Sequence, residues 1–248
     1  MKLSIIIPVY NEEGTIEELL RRVNSVKLPP GFQKEIIVVD DGSTDKTTEV
    51  LSEFKMKNLV FHKKIRGSEQ FKILRHSKNK GKGAAIRTGI ENSTGDLIII
   101  QDADLEYDPK FYAILLEPIF QNNAQVVYGS RLINYPLKFW GKDKTVLPLH
   151  LIANRFLTFL TNSIYGGKLT DMETGYKLFK KAVLKNISIN SNKFDFEAEI
   201  TARILKKKIP IIEVPIIVKP RTYKEGKKIG WMDGITAIFT LIKYKLVD

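Results

Sequence analysis

The sequence predicts an α/β fold: a mostly parallel sheet flanked by helices in a single domain, followed by a C-terminal amphipathic helix. Three observations predict it. Leu3–Ile7, interrupted only by Ser4, and the continuous runs Ile36–Val39 and Leu97–Ile100 are short apolar stretches, the pattern of strands buried on both faces. Strand, polar turn and helix follow one another repeatedly, which places ligands at the carboxyl ends of the strands. With 248 residues, 43% hydrophobic and 27% charged, the chain can bury a substantial core.

The first strand, Leu3–Ile7, is closed by Pro8. Ile16, Leu19, Leu20 and Val23 then recur at helical spacing, with Asn11 or Gly14 as the cap and Glu12, Glu13, Glu17 and Glu18 near the positive end. Pro29 and Pro30 precede the second strand, which ends in Asp40-Asp41-Gly42-Ser43-Thr44-Asp45, and a helix resumes from about Lys46 to Phe54. Asn58–His62 and Phe71–Arg75 read as two strand-like pieces, a hairpin or a surface excursion. In NKGKGAAIRTGIENSTG, residues 79–95, glycines introduce a helix near Ala84, and Lys80 and Lys82 supply positive charge for phosphate. No GK[ST] follows, so this is not a Walker A loop.

The segment LIIIQDADLEYDP, residues 97–109, is the most informative. Continued as a strand, it would point residues 102, 104 and 106 to one side, so that Asp102, Asp104 and Glu106 could share one hard cation. The plainer alternative is a solvated acidic loop before a helix at Pro109–Phe120. A strand at Gln125–Tyr128 leads to Gly129-Ser130-Arg131, a cation beyond its end. Residues 134–149 are loop-like, with Tyr135, Phe139 and Trp140 available to cover a ligand, touch lipid or pack on the core. Helices follow at His150–Tyr165 and Asn192–Lys208, the latter carrying Glu197 and Glu199. Between them lie a turn at Gly175 and a short strand. Ile211–Val218 reads as an edge strand because of Pro215. In WMDGITAIFTLIKYKL, residues 231–246, Lys243 and Lys245 flank an apolar face that suits either a lipid interface or a final core helix.

Forty Lys and Arg against 28 Asp and Glu give a net charge of +12, which points to an anionic partner. From Arg203 to Lys228 there are nine basic residues against Glu213 and Glu225. Without cysteine, disulfides and thiolate metal sites are excluded. An immediate first strand leaves no room for a signal peptide, and no apolar stretch reaches the roughly 18 residues of a spanning helix. The expected location is cytoplasmic, peripheral on the cytoplasmic face of a membrane.

Taken together, IIPVYNEE, VVDDGSTD, NKGKGAAIRTGI, QDADLEYDP, YGSR, DMETGYKLF, FDFEAEI and PRTYKEGKKIGW resemble the inverting family 2 glycosyltransferases of the GT-A fold. They are most similar to the dolichyl-phosphate (polyprenyl-phosphate) mannose and glucose synthases. The resemblance runs from Leu3 to about Trp231 and divides the chain into a transferase domain, 1–230, and an amphipathic helix, 231–248.

That resemblance implies roles. Pro8, Tyr10, Asn11 and Glu12 line a nucleotide pocket in which Asp40 reads the base with Asp41 beside it, and Lys80 and Gly81 lie near the nucleotide. Asp102, Ala103 and Asp104 form the DxD element, whose acids bridge Mg2+ or Mn2+ to the diphosphate. Glu106 would be a third metal ligand where some relatives carry Gln. Arg131 meets the acceptor phosphate, and Arg221 with Lys227 or Lys228 closes over the donor diphosphate. Catalytic roles thus fall to Asp104, Arg131 and Arg221. Relatives can carry a further Arg ahead of the helix near His150, which this chain lacks, and many continue into transmembrane segments.

The implied reaction moves a hexose, mannose before glucose, from GDP-mannose or UDP-glucose to a polyprenyl phosphate. A saccharide hydroxyl as acceptor would instead need a base, and Asp171, Glu173, Glu197 and Glu199 are candidates, although Glu173 and Glu199 suit surface or capping roles. A sugar-1-phosphate nucleotidylyltransferase should carry a Gly-rich, Arg-containing loop after the first strand, where Pro8-Val9-Tyr10-Asn11-Glu12 stands. A basic nucleic-acid-binding module is disfavoured by carboxylates at three strand ends, which would repel a phosphate backbone.

Overall fold

In a computed structural model, which describes residues 1–61, 70–133, 148–221 and 230–247, the chain forms one seven-stranded sheet covered by helices on both faces. The strands are β1 (Lys2–Val9), β2 (Gln33–Asp40), β3 (Gln70–Arg75), β4 (Leu97–Ile100), β5 (Val126–Ser130), β6 (Lys177–Lys180) and β7 (Ile211–Pro215), in the order β3-β2-β1-β4-β6-β5-β7. All pairings are parallel except those of β6, which runs against both β4 and β5. The helices are α1 (Ile16–Ser25), α2 (Thr47–Phe61), α3 (Lys82–Glu91), α4 (Tyr112–Gln121), α5 (Pro148–Tyr165), α6 (Lys181–Lys185), α7 (Phe196–Lys206) and α8 (Trp231–Leu246).

Side-chain alternation along β1 splits the core. Leu3, Ile5, Ile7 and Val9 face α1, α2 and α4, whereas Ile6 faces Ile86 of α3 and Phe196, Ile200 and Ile204 of α7. A third cluster joins Leu157 of α5, Ala198 and Ala202 of α7, and Ala237, Leu241 and Tyr244 of α8. Helices α5 and α8 therefore lie against α7 as an outer layer.

Several local expectations are corrected. Pro8 does not close the first strand but lies within β1, beyond the last β1–β4 pair, Ile6↔Ile100, past which no rung of that ladder requires its missing N–H. Asn58–Phe61 is helical rather than extended, because no Gly or Pro after Phe54 interrupts α2. No hairpin results, since β3 joins β2 in parallel. The β-rich run at Ile211 ends at Pro215, and β7 is indeed an edge strand. Asn11 does not cap α1. Its side chain accepts from the Thr44 N–H at 2.8 Å, and the helix starts from the Glu12 carbonyl.

At the far end of the sheet, fully buried Glu35 accepts from the Ser4 hydroxyl (2.5 Å), the Thr94 N–H (2.7 Å) and Lys72 Nζ (2.9 Å). Burial alone would push its carboxyl up, but these bonds outweigh it and hold the pKa at about 2, against an ordinary 4.5. The stability from this group is complete above the unfolded value and is lost as pH falls from about 4.5 toward 2. Glu35→Gln is expected to cost about 2 kcal/mol at neutral pH and to flatten that acid arm, as read from urea midpoints at successive pH values.

Candidate active site at the strand ends

The carboxyl ends of β2, β1 and β4 are neighbours, and the loops that leave them are tied together. The Asn11 N–H donates to Ser43 Oγ at 3.0 Å and the Glu12 N–H to Thr47 Oγ1 at 2.9 Å, joining the β1 and β2 turns. Asp40 is buried, accepting from the Ser43 N–H and the Thr48 hydroxyl, with Arg75 Nε at 3.4 Å. Asp41 is buried as well. One of its oxygens meets His76 Nδ1 at 2.6 Å and accepts from the Lys80 N–H at 2.9 Å; the other accepts from the Gly81 N–H at 2.7 Å. Asp41 thus holds the Lys80-Gly81 turn. Gly81 has φ +102°, and a Cβ there would overlap the Asn192 carbonyl, so the loop needs glycine.

Beyond β4 the chain turns at once. The strand ends at Ile100, so residues 102, 104 and 106 do not project from an extended strand as expected. Gln101 explains the turn: its side-chain amide donates to the Asp102 and Tyr107 carbonyls, and its Oε1 accepts from the Tyr112 and Tyr176 hydroxyls. Asp102 Oδ1 pairs with Lys82 Nζ at 2.8 Å, and the same Nζ meets Glu197 Oε1 at 2.8 Å. Asp102 Oδ2 sits against Gly175, where any Cβ would overlap it. Asp104 Oδ1 accepts from the Glu106 N–H at 3.0 Å. Burial, with the charges of Asp102 and Glu106, pushes the Asp104 carboxyl up to about 7.

Arg221 crosses this turn. Its Nε donates to the Asp104 carbonyl at 2.7 Å and its Nη2 to Glu12 Oε2 at 2.9 Å. The Arg221 N–H donates to Glu106 Oε1 at 3.0 Å, so Glu106 pins the arginine's segment. On the other side, Arg131 is bidentate to fully buried Asp171 through Nε and Nη2, each at 2.7 Å. Glu213 accepts from the Asp171 N–H and fixes that carboxylate in turn.

The structure therefore gathers Tyr10, Asn11, Glu12, Asp102, Asp104, Glu106, Arg131 and Arg221 along one sheet edge. Pro8 and Ala103 are buried beside it, and Asp40 and Asp41 brace its turns. Lys227, Lys228, Tyr135, Phe139 and Trp140 lie outside the described residues. Glu199, expected at the surface or as a cap, is instead fully buried in α7, where it accepts from the Asn190 and Ser191 N–H groups of the preceding loop and from Arg203. Glu173, expected at the surface, instead buries Oε1 without a partner. Sequence reading missed Arg75, His76 and Lys177. Lys177 is buried, donating to the Met172 and Thr174 carbonyls, and burial lowers its pKa to about 8. The signal for Arg75 and His76 was position: Arg75 closes a strand run and His76 directly follows it.

Among the described residues no three His, Cys, Asp or Glu side chains converge as a metal cage. The donor set still fits a hard cation, because Mg2+ is commonly held by one or two carboxylates with substrate phosphates completing the shell. Mutual repulsion around Asp104 is what such a charge would relieve.

The family model described as Glycosyl transferase family 2 matches residues 4–188. A dolichol-phosphate mannosyltransferase of Pyrococcus furiosus is 30% identical over 99% of this chain, which spans 65% of that protein's length. A UDP-N-acetylglucosamine–dolichyl-phosphate N-acetylglucosaminyltransferase of Methanococcus voltae is 28% identical, with 98% of this chain and 95% of that one covered. Among solved structures, glucosyl-3-phosphoglycerate synthase from Mycobacterium tuberculosis, in complex with Mn2+, UDP and glucosyl-3-phosphoglycerate, superposes with a TM-score of 0.70 at 17% identity. That match covers 100% of this chain and 81% of the other.

Proposed function

The chain belongs to glycosyl transferase family 2 and is a glycosyltransferase of GT-A fold, and from that premise we propose that it moves a hexose from a nucleoside-diphosphate sugar to dolichyl or another polyprenyl phosphate. One observation carries the acceptor: the two relatives differ in the sugar that their names print yet share dolichyl phosphate. GDP-mannose is the first donor to test, followed by UDP-glucose and UDP-N-acetylglucosamine.

Asp102 and Asp104 would hold Mg2+ or Mn2+, which when bound supplies positive charge to the departing diphosphate. Arg221, placed by Glu12, Glu106 and the Asp104 carbonyl, adds a second charge that counts most as the leaving group forms. Lys227 and Lys228 belong to the same proposed diphosphate contact. Pro8, Tyr10, Asn11, Glu12, Asp40, Lys80, Gly81 and Ala103 would frame the nucleotide, with Asp41 behind them. Arg131, oriented by Asp171, would align the acceptor phosphate with the anomeric carbon. A phosphate monoester, with its second pKa near about 6, is already a nucleophilic anion and needs no base.

The reading also places the enzyme on the cytoplasmic face of an anionic membrane. Among the described residues no helix is long and apolar enough to cross one. Ile152, Phe156 and Phe159 on α5, and Ile235, Phe239, Ile242 and Leu246 on α8, make exposed stripes at helical spacing, with Phe159 at 67% and Phe239 at 68% exposure. Lys243 and Lys245 flank them, as a negatively charged lipid surface would require. The 231–248 segment thus acts as an interfacial helix of a 1–230 catalytic unit. Phe159→Glu with Phe239→Glu is expected to weaken cosedimentation with phosphatidylserine vesicles at least about tenfold without shifting the melting temperature.

The reaction is tested by supplying labelled donors with Mg2+ or Mn2+ and a polyprenyl phosphate, then partitioning the products. Label in the organic phase identifies donor and acceptor together; label released only as free sugar would overturn the acceptor.

A further inference from the structure

Two carboxyl oxygens in the site are out of solvent and accept no hydrogen bond: Glu173 Oε1, in the loop before β6, and Glu197 Oε2, in the first turn of α7. Glu197 itself is only 5% exposed. Buried acceptors in native proteins nearly always have partners, so two orphans in one site point to donors that arrive with a ligand.

The nearby cations do not supply those donors. Lys82 Nζ is engaged by Asp102 and by the other oxygen of Glu197. Lys177 Nζ donates to the Met172 and Thr174 carbonyls, and Arg131 is bidentate to Asp171. These same contacts locate the orphans. Glu197 is joined through Lys82 to Asp102, at the diphosphate end. Glu173 follows Asp171, the anchor of Arg131, at the acceptor end. A sugar passing between the two ends would lie beside both.

We propose that Glu173 and Glu197 form a hydroxyl-binding subsite for the transferred sugar, accepting hydrogen bonds from a neutral hexose and disfavouring a hexuronate. Burial and the charge of Glu197 push the Glu173 carboxyl up to about 7, so above that pH it is a carboxylate that only accepts, and sugar hydroxyls donate. A carboxylate on the sugar would bring only acceptors to these two oxygens, where a hydroxyl brings a donor. The subsite rests on the donor reading above.

The test is calorimetric binding to the full chain, with Mg2+, of UDP-glucose, GDP-mannose, UDP-N-acetylglucosamine, UDP-glucuronate, UDP and GDP. The wild type is compared with Glu173→Ala and Glu173→Gln. Glu173→Ala is expected to weaken the bound sugar nucleotide about ten- to a hundredfold and leave the bare diphosphate unchanged. Glu173→Gln, which keeps an acceptor oxygen, should recover part of that loss. UDP-glucuronate should bind the wild type at least about tenfold more weakly than UDP-glucose, with a narrower gap in Glu173→Gln. Unchanged sugar-nucleotide affinity in Glu173→Ala, or an equal loss for the bare diphosphate, would overturn the subsite. Wild-type protein that binds no nucleotide at all would remove the donor reading, and the subsite with it.

Discussion

Asp104→Ala is expected to abolish transfer of labelled hexose into the organic phase, a loss on the order of a thousandfold, while leaving the fold intact. The two halves of that expectation have one cause. Asp104 is held among Asp102, Glu106 and low-dielectric surroundings that push its carboxyl up to about 7, so its charge is unfavourable without a counter-cation. Removing it relieves repulsion, and the melting temperature should stay constant or rise. The same negative charge is what a divalent ion needs, so activity should collapse as stability holds. Full activity in this variant would remove the metal argument; a collapse in melting temperature would show that the residue supports the fold instead.

Lys82→Met is expected to cost about 3–5 kcal/mol in urea unfolding, the range for breaking a buried ion pair from one side. Burial opposes the Lys82 charge, but Asp102 and Glu197, each at 2.8 Å, outweigh it and raise its pKa well above the usual lysine range. Without the ammonium, both carboxylates remain in the interior facing one another. Adding Glu197→Gln to Lys82→Met should return part of the loss, since one of the two uncompensated charges is then gone. A cost below about 1 kcal/mol for the single variant would mean that water reaches the pair.

The contrast between these two residues shows what could be read from the chain beforehand. The apolar runs in β1, β2 and β4 are short and end in polar turns, so a mostly parallel sheet flanked by helices was legible, and the strand order and fold similarity bear that out. Lys82 was legible only as a cation near a glycine-rich turn. Its partner Glu197 is 115 residues away, and such a pairing exists only once α3 and α7 have packed on the same face of the sheet. The Asn58–Phe61 misreading arose because a short apolar stretch has no period of its own. The expectation that residues 102 to 106 stay extended missed Gln101, whose amide and Oε1 bend the chain through contacts with Tyr107, Tyr112 and Tyr176.

The reversed direction of β6 has a further consequence. In a parallel strand the residues that follow it reach the ligand edge, but in β6 those that precede it do so. The peptide from Asp171 to Gly175 therefore lies at the cleft ahead of β6, anchored by Met172, which is buried among Leu157, Ala198 and Leu241. Grafting that pentapeptide from another family member is thus a way to retune which donors are accepted while every rung of the ladder stays where it is.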